Sequence, residues 1–263
     1  MTLFANERAK IYFPSLYGPF CEQFFIRHKS LPRTIINNDA KMKIKENISM
    51  TKKLFWQDPY LTELDTQVQT VDGNQITVAE TIFYAFSGGQ ESDHGTIGGY
   101  EVLEARKDGK EIFYTLEDAH TLKVGDNVKI CIHWDRRYKL MRLHFAAEIV
   151  LELVCQHFPD VIKVGAHIAQ DKSRIDFEWS QNISPFIDSL QQEAQSIIDS
   201  NQVIISAFSE EENERRYWKI NEFSQVPCGG THIKRTAEMG AIRLKRTNPG
   251  KGRERIEIYV SEI

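Results

Sequence analysis

The chain has 263 residues with 41% hydrophobic and 27% charged side chains, enough for one large or two medium domains with a sizeable core. No apolar run approaches the roughly 20 residues of a membrane span, and the cysteines Cys21, Cys131, Cys155 and Cys228 form no C-x-x-C pair, which argues against a disulfide scaffold and for a reducing compartment, the cytoplasm by default. A net charge of −4 makes the whole chain no magnet for polyanions, so any nucleic-acid contact has to come from a local patch.

Residues 1–49 are polar, basic in part and weakly patterned, and read as an N-terminal extension with neither a signal-peptide core nor a convincing transit peptide. Met50 is a candidate initiator. From Thr51 the patterning sharpens. Thr66–Val71 alternates, Asp72-Gly73-Asn74 signals a turn and Gln75–Thr81 alternates again, which predicts a β-hairpin. A glycine-rich stretch, Phe86–Gly99, follows. Strands are then predicted at 100–106, 111–115 and 127–132, and short strands at this spacing describe a small β-barrel over residues 50–133.

Asp135 is placed as the N-cap of a helix running to about Gln156, with Leu140, Leu143, Ala147, Val150, Leu151 and Val154 as its buried stripe. Two strands are expected between Val164 and Trp179. Ser184-Pro185 opens a second helix whose stripe is Phe186, Leu190, Ala194 and Ile197. A strand at 203–207, a charged loop or short helix at 210–216 and three closing strands complete the chain. The expected class is α+β: an N-terminal small β-barrel, then residues 134–263 as an α+β sandwich with helices on an antiparallel sheet.

Cys228-Gly229-Gly230-Thr231-His232 carries the strongest chemical signal. A thiolate and an imidazole on a glycine turn, together with His144 and Glu148 one helical turn apart, make a candidate zinc set. Such a short motif also arises by accident, and a lone helical histidine is commonly a core residue. A buried Glu148 nevertheless calls for a metal or cationic partner. Between Lys234 and Arg255, Lys234, Arg235, Arg243, Lys245, Arg246, Lys251, Arg253 and Arg255 face only Glu238 and Glu254. That stripe reads either as a phosphate track or as a solvated strand pair.

From about Lys53 onward, KLFWQDPYLTELDTQV, SGGQESDHGTI, WDRRYKLMRLH, DKSRIDFEW, VPCGGTHIKRTAEMGAI and KGRERIEI occur in this order, and the chain resembles the AlaX-type alanyl-tRNA editing proteins. The resemblance implies a barrel with the glycine-rich motif, followed by a zinc-binding editing domain that hydrolyses mischarged tRNA-Ala carrying serine or glycine. It carries His144, Cys228 and His232 over as ligands of one zinc ion (Zn2+). The family's helix has H-T-x-x-H, whereas this chain has His144-Phe145-Ala146-Ala147-Glu148. Glu148 thus stands at the second histidine as a fourth ligand or a neighbour bonded through water, and the added negative charge makes a bound zinc a weaker Lewis acid.

Two further readings follow from that departure: a tRNA- or aminoacyl-binding homologue weakened in catalysis, and a metal hydrolase of another small acyl substrate. Gln90 and Thr231 are the catalytic candidates. Gly88, Gly89, Gly229 and Gly230 are substrate-binding candidates, with tight structural turns as the alternative for the glycines and simple space-filling for Thr231. Lys245, Arg246, Lys251 and Arg253 are the candidate tRNA contacts. No membrane partner is expected, and the sequence is compatible with a monomer or a dimer.

Overall fold

In the computed structural model the described residues are 50–250 and 252–262. The expected N-terminal extension, residues 1–49, and the candidate tRNA contact Lys251 lie outside them. All described residues fall within one compact unit.

Lys52–Lys53 (β1) leads through a 3-10 turn, Leu54–Trp56, into the long strand Glu63–Asp72 (β2). β2 pairs antiparallel with Gln75–Val78 (β3), Asp72 lying opposite Gln75. Gly73 sits at φ 61° in the connection, a left-handed conformation in which a side chain is strained. The short strand Glu80–Thr81 (β4) runs parallel to β1. Gly95–Ile97 (β5), Tyr100–Asp108 (β6), Glu111–Leu116 (β7) and Asn127–Ile132 (β8) follow. Six strands close in the order β2-β3-β7-β6-β5-β8. Val68, Ile76, Ile97, Ile112, Leu116 and Ile130 fill the interior, the inward half of each alternating strand.

Trp134–His157 (α1) is the central helix. Asp135 lies in its first turn, while His133 occupies the cap position without a side-chain bond, so the acidic signal marks the start of the helix and not its cap. The expected one-sided stripe is also too narrow. Met141, Arg142, Phe145, Ala146, Ile149 and Leu153 are buried as well, because the helix is covered on several sides.

Ile162–Ile168 (β9) and Ser173–Glu178 (β10) form the expected strand pair. Ser184–Phe186 is a 3-10 turn with proline at its start, continuing into Ile187–Asp199 (α2). The buried stripe of α2 is Leu190, Ala194 and Ile198, so Ile198 replaces the expected Ile197, and Phe186 is 37% exposed. The next strand is Ile205–Glu210 (β11), later than expected, and it pairs with Arg215–Ile220 (β12). The charged run at 210–216 is therefore largely the turn of a hairpin. Ser224–Pro227 (β13), Ile242–Gly250 (β14) and Arg253–Val260 (β15) close the chain.

The sheet β14-β15-β10-β9 is antiparallel throughout. Together with α1, α2 and the three-stranded sheet β11-β12-β13 it gives a mixed α+β body with few helices. Phe145, Phe177, Leu190, Trp218, Ile256 and Ile258 share its core.

Arg137 of α1 is fully buried and forms a two-pronged ion pair with Asp93 of the glycine-rich stretch. Its remaining donors reach the carbonyls of Pro59 at 2.9 Å and Ile82 at 2.6 Å. Asp93 also accepts the Tyr84 amide at 2.6 Å. A buried charge pair of this kind holds geometry so long as every donor and acceptor is met, and here it pins the glycine-rich stretch to the helix that carries His144. Among the described residues no helix is long and apolar enough to cross a membrane.

Candidate metal centre

β13 delivers the chain into the CGGTH turn, and α1 approaches the turn from the core side. The Cys228 amide is bonded to the Arg216 carbonyl at 2.9 Å, which fixes where the sulfur emerges. His144, Cys228 and His232 converge, with one ligand atom from each within 4.8 Å of the others. Cys228 Sγ lies 3.5 Å from His144 Nε2 and 3.3 Å from His232 Nε2. Bonds of about 2.0–2.3 Å to donors at the corners of a tetrahedron set those donors about 3.3–3.7 Å apart. The three atoms are spaced for a single ion, and thiolate plus two imidazoles is a set that suits zinc.

Each imidazole is oriented by its second nitrogen. His144 Nδ1 is 3.2 Å from the Thr231 carbonyl, to which it donates, and His232 Nδ1 is 2.7 Å from Ser206 Oγ. Both Nε2 atoms therefore face the shared position, the arrangement in which an outer partner selects the tautomer of a metal-binding histidine. Both rings are buried, and Phe145 packs edge-on against His232 with centroids 5.3 Å apart.

Glu148 stands just outside this group. Its Oε1 is 3.4 Å from His144 Nε2 and 3.8 Å from Cys228 Sγ. Its Oε2 accepts the Trp218 indole N–H at 2.8 Å, which anchors the carboxylate. Burial works against its charge, but hydrogen bonding and attraction to His144 outweigh burial and hold Glu148 at about 2. For His144 burial favours the neutral ring, and attraction to Cys228 and Glu148 overcomes it, raising the group to about 10. Burial and the charge on His144 push His232 well below the usual histidine value. The Glu148 carboxylate thus favours a positive charge beside it, which a metal ion at this position would supply.

Gln90 and Thr231 are brought together. Gln90 Nε2 donates to Thr231 Oγ1 at 2.8 Å, and Gln90 Oε1 accepts the Thr231 amide at 3.3 Å. Both are 1% exposed, and their bonds lock the turn whose carbonyl holds His144. Gly88 and Gly89, at φ 61° and 91°, form a two-residue turn of the type that needs positive φ at both positions. Ser87 and Gln90 exchange backbone bonds across it. A Cβ on Gly89 would lie 2.5 Å from the Ala166 carbonyl oxygen, so this turn packs on β9, and the Gly89 carbonyl accepts the Ile168 amide at 2.8 Å.

Gly229 is exposed, with its carbonyl held by the Trp56 indole at 2.8 Å. Gly230 is buried against His144. Lys245 and Arg253 are exposed on β14 and β15, whereas Arg246 is engaged by both oxygens of Glu254 at 2.7 Å.

A cavity of about 140 Å³ adjoins the centre, lined among others by Ser206, Arg216, Gly230, Thr231 and His232. A larger groove of about 510 Å³ on the barrel, beside Thr96, Leu122 and Lys129, contains none of the candidate residues.

Residues 216–257 match the domain family described as the threonyl and alanyl tRNA synthetase second additional domain. The alanyl-tRNA editing protein AlaX-M of Pyrococcus horikoshii is 34% identical over 217 residues, covering 81% of this chain and 99% of that protein. The chain belongs to the AlaX-M alanyl-tRNA editing family. The AlaX-M protein of Saccharolobus solfataricus is 30% identical, covering 79% of this chain and 98% of its own length. An alanine–tRNA ligase of Methanococcus maripaludis is 28% identical over 86% of this chain, which spans only 28% of the ligase.

Three residues of this AlaX-M family member escape sequence reasoning: Ser206, Arg216 and Trp218. Ser206 and Trp218 are cross-strand partners, and from that one position they hold His232 and Glu148 respectively. The only sequence signal is the alternation Arg216, Trp218, Ile220, which marks an inward strand face with an arginine on it.

Proposed function

We propose that the chain is a trans-editing hydrolase, cleaving serine or glycine from mischarged tRNA-Ala at one zinc ion held by His144, Cys228 and His232. The observation that carries this reading is the 3.3–3.5 Å spacing of the Cys228 sulfur from the two Nε2 atoms, beside a cavity of about 140 Å³. When bound, zinc supplies a Lewis acid that polarises an ester carbonyl or a water molecule.

The remaining steps belong to the chain. Ser206 and the Thr231 carbonyl hold the two imidazoles in position, and Gln90 and Thr231 keep the turn rigid. Gly230 leaves room for His144, and Gly229 exposes the outer side of the turn to substrate. Glu148, tethered by Trp218, places a carboxylate at the edge of the centre as its neighbour through water. The small cavity beside Thr231 and His232 admits short side chains and excludes bulky ones.

In this reading residues 50–133 form a barrel domain that brings Gln90 to the site and residues 134–263 form the editing domain. Lys245, Lys251 and Arg253 contact tRNA phosphates, Arg246 supports them from its pair with Glu254, and the protein acts in the cytoplasm. The deciding experiment is deacylation of Ser-tRNA-Ala and Gly-tRNA-Ala against correctly charged Ala-tRNA-Ala, with bound metal measured on the same preparation. Loss of serine or glycine in step with zinc content supports the reading. Cleavage of simple small esters without cleavage of either charged tRNA points to a hydrolase of another acyl substrate.

A further inference from the structure

We propose that Arg216 is a catalytic residue that donates to the carbonyl oxygen of the aminoacyl ester and receives the charge formed there during hydrolysis, an inference that rests on the deacylase reading above. β12 turns Arg216, Trp218 and Ile220 to its buried face. Trp218 ends on Glu148, while Arg216 lines the small cavity beside Ser206, Thr231 and His232.

The guanidinium is unusual in three respects. It is buried, at 5% exposure. It is held between two rings, its carbon 5.5 Å from the Trp56 centroid and 5.0 Å from that of Phe208. Nη2 donates to the Trp56 carbonyl at 2.9 Å, but Nε is buried with no hydrogen-bond partner. Among the described residues no carboxylate forms an ion pair with it. A guanidinium buried without a carboxylate partner is costly, and its unmet buried Nε donor adds to the cost. The geometry is that of a preorganised anion receptor waiting for an acceptor.

The lining of the cavity points to the acceptor. Its volume of about 140 Å³ has room for a seryl or glycyl moiety beside Arg216, Thr231 and His232. Within such a moiety the ammonium repels a guanidinium, and the carbonyl oxygen attracts it. As water attacks the carbonyl carbon, a C–O bond forms and the carbonyl π pair moves onto oxygen, where the Arg216 N–H groups meet the new charge. Collapse restores the carbonyl and breaks the bond to the ribose oxygen. That oxygen takes up a proton and the attacking water gives one up, leaving the free amino acid and the tRNA hydroxyl.

The test compares wild type, Arg216→Gln and Arg216→Ala in deacylation of Ser-tRNA-Ala, together with binding of a non-hydrolysable seryl-amide analogue of the terminal adenosine. The expected result is a kcat lowered about 100- to 1,000-fold, KM and analogue affinity changed less than about threefold, and partial recovery of the Arg216→Ala rate by millimolar guanidinium ion. Zinc content and thermal melting identify a variant that fails to fold. If either variant does, Arg216→Lys, which keeps the charge without the planar fork, is read by the same split between kcat and KM. Undiminished kcat in folded variants, or a loss confined to KM and analogue binding, overturns the role of Arg216. A wild-type protein that leaves Ser-tRNA-Ala intact overturns the deacylase reading itself.

Discussion

Gly230 and His144 are packed so closely that a Cβ on Gly230 would fall 2.6 Å from His144 Nδ1 and closer still to Cε1, with Gln90 Oε1 at 2.8 Å. No rotation of a flexible chain end relieves this, because the imidazole is held by the Thr231 carbonyl on one side and faces Cys228 on the other. Gly229, one residue earlier, has nothing within 4 Å of a Cβ. Gly230→Ala is therefore expected to displace His144 and to strip zinc from the purified protein, whereas Gly229→Ala retains it. Metal analysis of the two variants checks this, and equal zinc content in both would contradict it.

The bond between Ser206 and His232 leads to a second expectation. Removing the hydroxyl in Ser206→Ala leaves the ring free to turn and leaves Nδ1 unpartnered. Outer-shell losses of this kind weaken metal affinity about 10- to 100-fold. Competition against a chelator of known affinity measures it. Unchanged affinity would remove Ser206 from the centre.

Glu148→His recreates the helical histidine pair implied by the family resemblance. Trp218 then loses its carboxylate acceptor, but the centre gains a neutral donor one helical turn from His144. Zinc binding is expected to tighten in the same chelator competition. Unchanged or weaker binding would separate Glu148 from the metal position.

Much of this is legible in sequence, and what is not has a common cause. The Asp72-Gly73-Asn74 turn, the strand pair after α1 and the Cys228/His232 pair follow from local pattern, because turn chemistry and ligand chemistry are written in neighbouring residues, whereas distant His144 joins them by residue type and by the family resemblance. The helix details differ by small steps. Asp135 satisfies both cap and first-turn preferences, and Ile197 and Ile198 compete for one stripe. Ser206, Arg216 and Trp218 are invisible in sequence because their roles depend on the register between β11 and β12, where Ser206 faces Trp218. A shift of one residue would put Ser206 and Trp218 on opposite faces of the sheet.

The basic stripe separates into two kinds of residue. Arg246 is neutralised by Glu254, while Lys245 and Arg253 are exposed. Reversing both, Lys245→Glu with Arg253→Glu, is expected to weaken tRNA binding and to flatten the slope of log affinity against log salt by about 1–2, at about 0.7–0.9 for each phosphate that is no longer neutralised. Zinc content should stay unchanged. A filter-binding salt titration measures the slope, and an unaltered slope would assign the stripe to a solvated strand pair.

The most direct test is the release of serine from Ser-tRNA-Ala by the purified full-length chain, followed as zinc is removed by a chelator and then restored. Hydrolysis is expected to disappear with the metal, to return with about one zinc per chain, to be absent in His144→Ala and Cys228→Ala, and to leave Ala-tRNA-Ala largely intact. Zinc-loaded protein that binds Ser-tRNA-Ala without releasing serine, or a rate indifferent to zinc and to His144, would contradict the assignment of His144, Cys228 and His232 as the hydrolytic centre.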